Sequence, residues 1–253
     1  MLMNLAIGEA TATFIVFVRV GTVLSFLPGF SASYVSVRIR LMMALGLSVL
    51  LTPLLSSRLP PLPGDISGLA GLILGEVLIG IFVGMIPRIA IAALQTAGTF
   101  ISFFASLASA VVQDPVADQQ SATLAGFLSL FGLVLLFVAD LHHLMLSGLV
   151  ASYEAFPCGA GLPIGDAADA VTRAVAASFA IGLQLSVPAL IACILSNVAL
   201  GLLGRLMPQL NVFFFGMPIQ ISLQFVLLMM IFSGMAIVFL NFFTETLSLF
   251  APR

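Results

Sequence analysis

From residue 174 to residue 243 the chain carries one charged side chain, Arg205. A stretch so poor in charge cannot form an ordinary water-facing surface. It reads as two long apolar segments, about residues 174–204 and 212–243, joined by a turn around Arg205. The rest of the chain agrees. Over all 253 residues, 61% are hydrophobic and 7% are charged, whereas a soluble domain carries about a quarter charged residues. That composition defines a polytopic integral membrane protein. All eight cationic side chains are arginines, which excludes lysine-based catalysis. With no basic patch and a net charge of −2, nucleic acid is not an expected partner.

The earlier apolar segments fall at about residues 5–27, 41–55, 66–86 with a continuation past Pro87 towards residue 112, and 122–138 extended through His142 and His143 to Tyr153. Loops are marked by Pro28-Gly29, by the proline-rich run at residues 60–64, and by residues 157–165. No internal repeat or long linker divides the chain, so it reads as a single domain over 1–253. The first segment carries Glu9 and Arg19, runs apolar for long and has no basic leader, so it is expected to be retained as a membrane segment. Pro53, Pro87, Pro188 and Pro218 each interrupt an apolar run, which predicts kinked and broken helices in an all-α fold. Arg38, Arg40, Arg88 and Arg205 predict a periplasmic N-terminus by the positive-inside rule, with Arg58, Arg173 and Arg253 against it.

Charges inside apolar segments are the first candidates for special roles. Glu9 and Arg19 lie about 15 Å apart along one helix and near opposite faces, so they cannot neutralise one another. A lone charge at mid-bilayer costs at least about 2.5–3.5 kcal/mol. Glu9, Arg19 and Glu76 are therefore the candidate buried charges; Glu9 and Arg19 each either have a partner on another element or sit outside the hydrocarbon. Glu76 could serve as a proton-relay carboxylate, but its segment holds no second carboxylate, and pairing with a distant arginine accounts for it better. Gly71/Gly75 and Gly80/Gly84 sit at the four-residue spacing that allows close helix approach, on two different faces. Gln220 and Gln224, one turn apart, either line a pore with Ser222 and Gln184 or hydrogen-bond between helices.

Enzyme chemistry finds no foothold. Asp140, His142 and His143 invite a metal, but neighbouring helical residues point about 100° apart. The pair reads as a polar cluster at a helix end, and no metal or cofactor is expected. Cys158 and Cys193 fit no metal or redox spacing. No nucleophile–base pair or phosphate-binding loop is present.

The turn itself reads NVALGLLGRLMPQLNVFFFGMPIQ over residues 197–220. This run closely resembles that of the FliR family, the flagellar members of the type III export apparatus, and is similar to its relatives in virulence injectisomes. The likeness extends more weakly over nearly the whole chain. It implies a FliP-like part over 1–165 and a FliQ-like helical hairpin over 166–253. It also implies an export-gate subunit of the bacterial inner membrane at the flagellar basal body, assembled with FliP-like and FliQ-like subunits, contacted by FlhB and surrounded by FlhA, passing unfolded export substrates. The turn would then lie at the cytoplasmic end, with Arg205, Pro208, Gln209, Asn211, Phe213, Gly216 and Pro218 as its assembly residues. The loop at residues 105–120 would hold the channel plug, formed by Ala110, Val111, Val112, Gln113, Asp114 and Pro115. Thr99 stands where the family commonly has glutamate, and Phe103-Phe104-Ala105 where Gln and Gly are usual. The equivalent subunit of a virulence injectisome, a small-solute secondary transporter and a purely structural scaffold are the competing readings of the same residues.

Overall fold

The computed structural model describes residues 2–32, 34–56, 59, 65–104, 118–207 and 212–248. The described residues form seven α-helices and no strand: α1 Leu2–Phe26, α2 Val37–Leu55, α3 Ile66–Phe104, α4 Asp118–Val138, α5 Leu141–Ala155, α6 Ile164–Leu206 and α7 Val212–Ser248. Helices α1, α2, α3, α6 and α7 are long and apolar enough to cross a membrane, and the bent pair α4–α5 adds a sixth candidate. At 39, 43 and 37 residues, α3, α6 and α7 are about twice the length that one crossing requires. The all-α polytopic membrane fold expected from composition is the fold observed.

Local chemistry sets several helix ends. Ser36 Oγ accepts the Ile39 N–H at 3.4 Å and caps α2. Asp65 does the same for α3, accepting the Gly68 N–H at 3.0 Å and the Ser67 hydroxyl. These hydrogen bonds, Ser67's foremost, hold the Asp65 carboxyl below its usual range. Helix α6 begins with Asp166 in its first turn and ends with Arg205 in its last, the order that complements the helix dipole.

The expected breaks at proline are corrected by the structure. Pro53, Pro87, Pro188 and Pro218 all lie inside continuous helices. A proline forfeits one backbone hydrogen bond, but in apolar surroundings leaving the helix would expose many more. The real break falls where no proline stands. The segment expected to run unbroken from residue 122 to Tyr153 divides into α4 and α5, bent by 78°. Asp140 sits between them at φ 56°, ψ 18°, and a left-handed residue cannot continue a right-handed helix.

The chain forms two compact units. One comprises Met1–Ala90, Ala139–Val175 and Phe243–Arg253, the other Ile91–Val138 and Ala176–Phe242. In the first unit α1 and α3 run parallel. Gly80 meets Thr22 and the Arg19 carbonyl, and one turn on Gly84 meets Val23 and Phe26. Helix α2 turns Ala44, Ser48, Thr52 and Leu55 inward and leaves Met42, Leu45, Val49, Leu50 and Leu54 exposed. In the second unit α6 and α7 form an antiparallel hairpin. Leu200 meets Gly216, Cys193 meets Gln220, and Ala189 meets Gln224, so partners rise on one helix as they fall on the other. Gly98 lies against Ala125, and Gly182 against Ala93 and Thr96, drawing α3, α4 and α6 together within this unit.

Candidate functional site

The first unit buries an ion pair. Arg19 and Glu76 are each 0% exposed. Arg19 Nε donates to Glu76 Oε2 at 2.6 Å and Nη2 donates to Oε1 at 3.0 Å, a two-pronged fit of guanidinium to carboxylate. Nη1 donates to the Ser152 carbonyl at 3.3 Å. The guanidinium carbon lies 4.0 Å from the centre of the Tyr153 ring, and the Tyr153 hydroxyl reaches the Val16 carbonyl at 3.5 Å. Removing two ions from water costs several kcal/mol per ion, and only good geometry with further hydrogen bonds offsets it. Here the arginine engages a carboxylate, a carbonyl and an aromatic face at once. The pairing depends on α1 and α3 approaching closely, which the bare backbone at Gly80 and Gly84 permits.

Cys158, in the connection after α5, completes this cluster, with Sγ 4.0 Å from Arg19 Nη2. Burial first, and the Glu76 carboxylate second, push its thiol up to about 12. Gly71 and Gly75, the other spaced glycine pair, have nothing among the described residues within 4 Å of where a methyl would sit. Glu9 is not buried with a partner, the first of its two expected placements. Its side chain is exposed; among the described side chains of α1 the buried ones run from Ile15 to Leu24, and Glu9 precedes them.

The second unit holds the turn residues. Arg205 is exposed at the end of α6. Gly216 is buried in α7, where a methyl would meet the Leu200 side chain at 2.9 Å. Pro218 is exposed within α7, so it does not mark the limit of the turn. Phe213 lies in α7. Pro208, Gln209 and Asn211 lie outside the described residues, as do Ala110, Val111, Val112, Gln113, Asp114 and Pro115.

Gln220 and Gln224 are buried between the hairpin helices, whereas Ser222 and Gln184 are exposed. Gln224 Nε2 donates to the Ala189 carbonyl at 2.9 Å, and its buried Oε1 has no hydrogen-bond partner among the described residues. The glutamine pair thus joins helices rather than forming one stripe with Ser222 and Gln184.

Sequence reasoning missed Ser152, Tyr153 and Cys158 as neighbours of Arg19. Their positions at and beyond the end of α5 carry no spacing signal, since α5 changes direction at Asp140.

Apolar spanning helices, a neutralised buried arginine and an antiparallel hairpin together define a polytopic helical membrane protein. The chain belongs to the bacterial export proteins, family 1, whose model matches residues 10–246. It is 37% identical over 236 residues to the flagellar biosynthetic protein FliR of Caulobacter vibrioides, covering 93% of this chain and 94% of that protein. It is 34% identical over 175 residues to FliR of Bacillus subtilis, covering 68% of each. It is 28% identical over 151 residues to the secretion system apparatus protein SsaT of Salmonella typhimurium, covering 59% of this chain and 58% of that protein. The FliR-family resemblance read from the turn is thereby borne out.

Proposed function

We propose that the chain is a core subunit of the flagellar type III protein export gate. It forms part of the channel for unfolded export substrates and is required for flagellum assembly. The observation that carries this reading is the 37% identity over 93% of the chain to a flagellar biosynthetic protein. The lower identity and shorter match to SsaT, 28% over 59% of the chain, favour a flagellar system over a virulence injectisome.

The subunit works in the inner membrane with FliP-like and FliQ-like chains, contacted by FlhB and surrounded by FlhA. Residues 1–165 act as the FliP-like part and 166–253 as the FliQ-like part, a division that the antiparallel pairing of α6 and α7 supports. Ile191, Leu195, Val198 and Leu202 share an exposed apolar face of α6. Such a face must meet lipid or partner helices. Arg205, Pro208, Gln209 and Asn211 form the cytoplasmic turn, and residues 110–115 form the plug. The chain contributes a path and a seal, and energy comes from its partners.

Co-purification with loss of function tests the reading. A detergent complex with FliP-like and FliQ-like chains is expected, together with lost secretion of flagellar proteins when the gene is deleted. Recovery as a lone chain from cells that remain motile after deletion would overturn it, and would favour a small-solute transporter.

A further inference from the structure

The break between α4 and α5 carries a second cluster, separate from the ion pair and independent of the proposed export role. Asp140, His142 and His143 each offer a ligand atom, and these atoms all lie within 4.8 Å of one another. The imidazole rings stand with centroids 4.1 Å apart, and His143 Nδ1 is 3.9 Å from Asp140 Oδ1. A tetrahedral metal with ligands at about 2.0–2.1 Å sets its ligand atoms about 3.3 Å apart. Binding would require side-chain rotations that close the remaining gap. The geometry points to a binding site here for a zinc-class divalent transition metal, held by the Asp140 carboxylate and both imidazoles, with water completing the shell.

Three further observations support it. Asp140 is the only non-glycine residue at positive φ among the described residues, and backbone held in that region concentrates at functional sites. It occupies the N-cap of α5 but makes no side-chain capping bond, so its carboxylate is not spent on the helix end. The Asp140 and His143 side chains are 77% and 73% exposed, so an ion can reach them. Helical spacing argues against two adjacent histidines on one ion. That objection weakens here because the pair stands in the first turn after the 78° bend with its rings side by side. Two imidazoles with one carboxylate suit zinc, nickel or copper rather than calcium or magnesium.

The test uses the full-length chain, purified in detergent with any bound subunits and a tag free of histidine. Zinc is titrated in competition with a chromophoric chelator, and cobalt(II) is followed by its visible absorption. One equivalent per chain is expected. His142→Ala and His143→Ala should each weaken binding by at least about tenfold. Asp140→Gly should do the same while accommodating the positive φ, which separates loss of a ligand from loss of fold. A Cys158→Ser/Cys193→Ser chain should bind as the wild type does. No saturable binding by the wild type, or unchanged binding in the His142→Ala/His143→Ala double variant, would overturn the site.

Discussion

Arg19 Nε lies 2.6 Å from Glu76 Oε2 although 57 residues separate them in the chain. The two are brought together because α1 and α3 run parallel, with Gly80 and Gly84 each admitting a backbone segment of α1. An arginine that alone would oppose membrane insertion thereby becomes a fixed joint between two helices. Its Nη1 and its flat face are engaged by α5, and Nη2 also faces Cys158 in the connection beyond.

Breaking that joint on one side should be worse than removing it altogether. Arg19→Leu or Glu76→Leu alone leaves an uncompensated buried charge, which costs about 3–5 kcal/mol. The Arg19→Met/Glu76→Leu double variant should recover most of the loss. Melting temperature and detergent-soluble yield measure the difference. Single variants as stable as the wild type would show that the charge is not buried in the folded chain.

The two spaced glycine pairs should respond differently to a methyl group. At Gly84 it would lie 2.9 Å from the Val23 carbonyl oxygen, and at Gly80 2.8 Å from Thr22 Cβ. Gly80→Ala and Gly84→Ala should each destabilise by about 1–3 kcal/mol. Gly71→Ala and Gly75→Ala meet nothing within 4 Å and should be neutral or slightly stabilising in the isolated chain, since alanine favours helix over glycine. Thermal unfolding of the four variants side by side decides it.

Cys158 should resist alkylation in the folded protein. Its thiol, pushed from 9.0 up to about 12, stays protonated at neutral pH, and the thiolate is the reactive form. In a Cys193→Ser background, modification by iodoacetamide should be slow until the chain unfolds. The sign of the linkage follows. The unfolded thiol ionises first, so stability should fall as pH rises from about 9 towards 12. Rapid native labelling at pH 7 would contradict the burial.

The plug assignment predicts a leak. Deleting residues 110–114 should leave assembly with FliP-like and FliQ-like chains near normal, because the sequence there reads as a connecting loop and loop tips tolerate change better than packed helices. Ions or small solutes should then cross the membrane, and growth should suffer when the complex is overproduced. Uptake at matched complex level is the measurement. An assembled deletion that does not leak would remove the plug role and leave family membership untouched.

Much of the fold was legible in the chain because lipid and packed helices impose a compositional rule that residues obey one by one. Apolar runs, their lengths and the hairpin turn all follow from it. So does the need for Arg19 and Glu76 to find partners, since the cost of an unpaired charge is a property of the side chain and its segment. The motif at residues 197–220 marked the family for a similar local reason.

What the chain order could not express is which surfaces meet. Four prolines looked like breaks, yet the helices pass through them, while the break at Asp140 rests on a single left-handed residue that composition does not flag. Both glycine pairs have the same spacing, yet only Gly80 and Gly84 are covered by α1. Glu9 and Arg19 share a helix, yet among the described residues only Arg19 faces a neighbour that bears the opposite charge. Composition and spacing determined that this is a helical membrane protein with charges in need of partners. The tertiary structure alone decided the pairing, because opposition across helices depends on direction and register, which are set by close backbone approach between residues far apart in the chain.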